Sequence, residues 1–215
     1  MRPIYIVALF LGISLTSAAT NNRVVIGNFS AGTLIGWESK SFVGQTSYTI
    51  EQKDGQSVLI AESAGTASGL GRKITVDLTK TPYVNWSWKI EQSLPELEET
   101  QKSGDDYAAR LYVIKSGGAL IWNAKSLNYV WSGSQSKDTV WPNAFSPRNS
   151  KMIAARGAED STGVWRHEKR NVREDYKRIF GKDVKSINAI AIMTDTDNSG
   201  LRASASYGDI YFTSE

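Results

Sequence analysis

The sequence predicts a mostly β chain folded as a β-sandwich, two packed antiparallel sheets with one short helix. Three observations predict it. Short runs rich in β-branched and aromatic residues recur from Val24 to Thr213, bounded by Gly, Asn, Asp or Pro. Several runs alternate apolar and polar residues, which gives a strand one core face and one outer face. Only residues 172–180 repeat their apolar positions at helical spacing.

In chain order the runs are Val24–Phe29, Ser47–Gln52, Ser57–Glu62, Gly71–Asp77, Tyr83–Glu91, Tyr107–Lys115, Ala119–Asn123, Leu127–Ser132, Lys151–Arg156, Val164–Lys169, Ile187–Thr194 and Ser204–Thr213. Twelve runs at this spacing suggest two sheets packed face to face. In Tyr83–Ile90, the residues Val84, Trp86, Trp88 and Ile90 share the core face. In 105–115, Tyr107, Ala109, Leu111 and Val113 share one face, and Asp106, Arg110 and Tyr112 the other. Ile187–Thr194 is apolar on both faces and reads as a central strand covered on both sides. The helix starts at a capping box, Asn171 with Glu174 three positions on. Val172, Tyr176, Ile179 and Phe180 form its apolar stripe, and Gly181 stops it.

With 40% hydrophobic residues, 22% charged residues and no Cys, the 215-residue chain has globular composition. That excludes collagen-like, coiled-coil and disulfide-stapled classes, and any nucleophile or zinc site built on Cys. The start Met1-Arg2-Pro3, the uncharged run Ile4–Leu15 and the small residues Thr16–Ala19 follow the pattern of a secretory signal peptide. The uncharged run spans 12 residues, where a spanning helix needs about 20. Residues 1–19 are therefore expected to be a cleaved signal and 20–215 a single domain. The expected location is the periplasm or the exterior, with no transmembrane anchor after cleavage. The near balance of 25 basic and 22 acidic residues gives no clustered field for nucleic acid.

The second half carries the strings GDDYAARLYV at 104–113, LNYVW at 127–131, WRHEKRNVREDYKRIFG at 165–181 and IAIMTDTDNSG with YGDIYF between 190 and 212. The first half adds LIAESAG at 59–65 and PYVNWSWKI at 82–90. Together these resemble the bacterial family known as domain of unknown function 3047. The resemblance implies an exported protein with a jelly-roll or galactose-binding-like sandwich, similar to carbohydrate-binding modules. It implies no catalytic residues.

The loop Asp195-Thr196-Asp197-Asn198-Ser199-Gly200 offers oxygen donors at positions one, three and five and Gly at six, as in the first half of a Ca²⁺ loop. Position twelve is Ser206 where a Glu is needed, so an EF-hand is not expected. The loop reads first as a hairpin turn. Its alternative is a Ca²⁺ site using Asp195, Asp197 and Asp209. No other cofactor is expected.

Asp106, Arg110 and Tyr112 could grip sugar hydroxyls and a sugar face if their side of the strand is concave. The plain reading is a surface ion pair of small value. Tyr129, Trp131 and Trp141 fall in the turn-rich stretch 127–147, where exposed aromatics would be candidates for stacking on sugars. Asp106, Arg110, Tyr112, Tyr129 and Trp131 are thus the candidate ligand contacts. The chain has no GxSxG, HExxH or Walker-type motif, and one histidine, His167. Glu96, Glu98, Glu99, Asp105 and Asp106 could in principle supply a glycosidase pair, although 95–99 reads as a mobile loop. The leading expectation is a non-catalytic module that binds carbohydrate or cell-envelope glycan. The alternatives are a polysaccharide hydrolase or lyase, and a protein-interaction module.

Overall fold

A computed structural model describes residues 22–118 and 123–215. The expected signal segment and residues 119–122 of the run Ala119–Asn123 lie outside the described residues. The chain forms β1 (Val24–Gly27), β2 (Glu38–Val43), β3 (Ser47–Lys53), β4 (Gln56–Ala64), β5 (Ala67–Asp77), β6 (Tyr83–Ile90), β7 (Tyr107–Lys115), β8 (Lys125–Trp131), β9 (Val140–Pro142), β10 (Ser150–Arg156), β11 (Arg166–Asn171), α1 (Val172–Phe180), β12 (Ser186–Asp195), β13 (Arg202–Tyr207) and β14 (Ile210–Thr213). Among the described residues no helix is long and apolar enough to cross a membrane.

The strands make two sheets. The first runs β1-β14-β6-β13-β4-β3, with β11 on the free side of β6. The second runs β2-β5-β12-β7-β8-β10-β9. The run 204–213 is two strands, not one. The chain crosses from β13 to β14 at Gly208, whose N–H donates to Ser87 O at 2.9 Å; a side chain there would collide with Ser87. Not every pairing is antiparallel: β10 lies parallel to β8 and antiparallel to β9. Strands β2 and β9 were not legible as runs. Both are edge strands, and all six side chains of β2 are exposed, so burial leaves no alternation to read.

The inner faces meet in an aromatic core. Trp86 and Trp88 of β6 lie against Tyr129 and Trp131 of β8, with ring centroids 5.3 and 6.0 Å apart. These rings are fully or almost fully buried, and aromatic contacts of this kind add about 0.5–1.5 kcal/mol each beyond area burial. Trp88 Nε1 donates to Glu168 Oε1, and the same oxygen accepts from Arg156 Nε at 2.6 Å. The helix joins both sheets. It follows β11 of the first sheet, while Tyr176 Oη lies 2.8 Å from Val113 O and 3.0 Å from Lys125 O of the second. Its cap is as the sequence requires: Asn171 Oδ1 accepts from Glu174 N at 3.1 Å, and Gly181 is left-handed at φ 66°.

Two face assignments change. The pairing of β12 with β7 slips between Met193 and Asp195, opposite Arg110 and Tyr107. This bulge in β7 turns Tyr107 to the outer face, where it packs with Val130, Trp141, Met152 and Ala154. Strand β12 is central, between β5 and β7, but only its inner side is fully covered. Ile190 and Ile192 point into the core, whereas Ala189 and Ala191 open onto a groove.

Candidate functional site: a groove on the outer face of the second sheet

Small residues hollow out this face. Gly69 and Gly71 of β5 and Ala189 and Ala191 of β12 floor a cavity of about 350 Å³. A second cavity of about 380 Å³ adjoins it through Phe42, Tyr112 and Met193. A third, of about 450 Å³, shares Tyr112, Asn143 and Ser150 with the second. Tyr112 lines all three, so they form one groove crossing the strands with this ring at its centre.

The rim carries exposed rings. Phe42 of edge strand β2 is 62% exposed and Phe145 of the β9–β10 loop is 56% exposed; both line the second cavity. Lys40 Nζ sits 5.1 Å from the centroid of Phe42, and Lys102 Nζ 5.4 Å from that of Phe145.

Beneath the rings lies a buried polar network centred on Arg110, which is 3% exposed. Its Nη2 donates to Asp195 Oδ2 at 2.9 Å and to Asp105 O at 3.0 Å, and its Nη1 to Tyr112 Oη at 2.7 Å. Its guanidinium lies 4.3 Å from the Tyr107 ring centroid. Asp105 in turn accepts from Asn143 Nδ2 at 3.0 Å. The Oδ1 of Asn143 accepts from Phe145 N at 3.1 Å and Ser146 N at 3.0 Å. The chain Arg110–Asp105–Asn143 therefore sets the backbone that presents Phe145. On the other side, Asp106 Oδ2 accepts from Ser199 N at 2.7 Å and its Oδ1 from Asn198 Nδ2 at 3.0 Å, which ties the 195–200 loop to β7.

The electrostatics follow from burial. Burial pushes the carboxyls of Asp105 and Asp195 above the ordinary carboxylate range, against the pull of Arg110. Asp197 is raised by burial and by the charge of Asp106. Burial also raises the Tyr112 hydroxyl, with Arg110 pulling the other way, so the ring stays neutral.

Of the expected contacts, the fold brings Arg110, Tyr112, Asp195 and Asp197 to the second cavity. Asp106 is not the ion-pair partner of Arg110; it is buried and holds the loop. Tyr129 and Trp131 are corrected. They lie on interior strand β8 and face the core, at 0% and 2% exposure, and Tyr129 Oη donates to Asp175 Oδ2 at 2.8 Å. Trp141 is also buried, against Tyr107. Asp209 stands apart from Asp195 and Asp197: it accepts from Ser30 N and Oγ beside β1. The expected mobile loop at 95–99 is pinned, because buried Glu99 accepts from Ser132 Oγ, Gly133 N and Ser134 N. The sequence reading missed Phe42 and Phe145. A signal existed for Phe145, an aromatic in a turn-rich segment between Pro142 and Pro147.

A solved structure shares this fold. The family 30 carbohydrate-binding module of a cellulosomal cellulase of Clostridium thermocellum aligns at TM-score 0.53 and 14% identity, covering 90% of this chain and 98% of that one. The family 11 module of another cellulase of that organism aligns at TM-score 0.48 and 12% identity, covering 91% and 95%. No curated protein sequence matches. The model of the family described as "Protein of unknown function (DUF3047)" matches residues 35–211, and the chain belongs to that family.

Proposed function

We propose that this protein is an exported, non-catalytic module that binds carbohydrate or cell-envelope glycan in the groove on its second sheet. The observation that carries the reading is the pair of exposed rings, Phe42 and Phe145, on the rim of a groove whose polar groups are already positioned. A sugar has apolar C–H faces that lie on aromatic rings, and hydroxyls that need paired donors and acceptors. Tyr112 and Asp197 line the groove beside the rings and supply such groups. Lys40 and Glu38 extend them along the first cavity. The family 30 module of similar fold, a named carbohydrate-binding module, is consistent with this reading. Binding is favoured over catalysis because two of the three acidic residues lining the second cavity, Asp105 and Asp195, hold Arg110. The signal-like segment 1–19 supports export to the periplasm or beyond.

The test is binding of the purified protein to a broad panel of glycans and envelope polysaccharides, scored for binding and for released sugars. Saturable binding without turnover is expected. Substituting Phe42→Ala or Phe145→Ala should weaken it at least tenfold, about 1.4 kcal/mol, while the unfolding midpoint stays within a degree or two. Release of reducing ends or unsaturated sugars would replace this reading with a hydrolase or lyase. Silence across the panel would replace it with a protein-interaction module.

A further inference from the structure

We propose that Asp106, Asp195 and Asp197 form a Ca²⁺ site at the end of the groove. One carboxylate oxygen from each residue lies within 4.8 Å of the others. Ca–O distances of about 2.3–2.6 Å let one Ca²⁺ hold oxygens up to roughly 5 Å apart, which covers this cluster. Every donor in the cluster is an oxygen, which suits a hard cation rather than zinc or copper.

A second observation points to a ligand. Asp195 is 3% exposed; its Oδ2 is occupied by Arg110, and its Oδ1 is buried without a hydrogen-bond partner among the described residues. A buried carboxylate oxygen left unpaired is costly, and a cation satisfies it directly. The charge count agrees. Arg110 pairs with Asp195 at 2.9 Å and stands 3.8 Å from Asp105. Asp106 and Asp197 have no ion-pair partner among the described residues and add two further carboxylates beside Asp195. One guanidinium, paired with Asp195 and near Asp105, thus serves a group of four carboxylates. The cluster is also held in shape. Asp106 fixes the backbone of Asn198 and Ser199, at 3.2 and 2.7 Å, so β7 and the 195–200 loop converge without further movement. Asp106 Oδ2 accepts one hydrogen bond and keeps a lone pair for the cation. Asp195 and Asp197 line the second cavity, which gives the cation its entry path and leaves its remaining positions facing the groove.

The inference stands without the glycan reading, so its test uses Ca²⁺ alone. The purified protein is stripped with chelator, then titrated with CaCl₂ by calorimetry and followed by thermal unfolding. One Ca²⁺ per chain is expected, with a rise of about 5 °C in the midpoint at saturation. Asp197→Asn changes a half-buried residue outside the Arg110 pair and should lose at least tenfold in Ca²⁺ affinity. Asp209→Asn, remote from the cluster, should bind as the unaltered protein does. Absence of heat and of a midpoint shift in the unaltered protein would overturn the proposal. So would unchanged affinity in Asp197→Asn.

Discussion

Arg110 is the residue on which the groove depends. It neutralises Asp195, approaches Asp105, holds the Tyr112 hydroxyl and packs against Tyr107 while almost wholly buried. A buried pair broken from one side leaves an uncompensated charge, at a cost of about 3–5 kcal/mol. Arg110→Ala should therefore lower stability by about that amount in urea unfolding; a loss below 1 kcal/mol would mean that water screens the pair. Glu99 offers a test by pH. Burial raises its carboxyl above the ordinary value of 4.5 despite three donors. A raised carboxyl binds its proton more tightly in the folded state, so its contribution is present below pH 4.5 and is lost as pH rises through the folded value. The stability of the unaltered protein relative to Glu99→Gln should thus decline as pH rises from 4.5; a flat or rising difference would contradict the direction. Arg110 and Tyr112 were legible as one strand face because period two fixes faces. The partner of Arg110 was not, since Asp195 lies 85 residues away and reaches it only through the pairing of β12 with β7.

At the scale of elements, the helix was fully legible because its signals are local. Asn171, the apolar stripe and Gly181 each act within one or two turns. Asn171→Ala removes the bond to Glu174 N and should cost about 1 kcal/mol, measured by thermal unfolding, whereas Asn171→Ser should restore most of it. Strand β7 was legible in its limits but not in its faces, because one bulge moves Tyr107 from the core side to the groove side. Strand β8 shows the opposite failure. Turn residues follow it, and its aromatics suggested a loop surface, yet its place between β7 and β10 buries Tyr129 and Trp131. Edge strand β2 carries no burial pattern, so the ring it brings to the groove, Phe42, left no trace in periodicity.

For the whole molecule, the sandwich places its large rings between the sheets and its small residues on the outer face of one of them. Trp86, Trp88, Tyr129 and Trp131 fill the interior, while Gly69, Gly71, Ala189 and Ala191 leave the groove open. Composition and strand spacing foretold the layers. The groove arises from strand order, which pairs two runs of small residues that stand more than a hundred positions apart. The most direct test of the groove is calorimetric titration of the best-binding glycan against the unaltered protein, Phe42→Ala and Val164→Ala. Val164 is an exposed aliphatic outside the three cavities and serves as the control. Phe42→Ala should weaken binding at least tenfold while Val164→Ala binds normally. Equal affinity in all three would place the ligand elsewhere on the molecule.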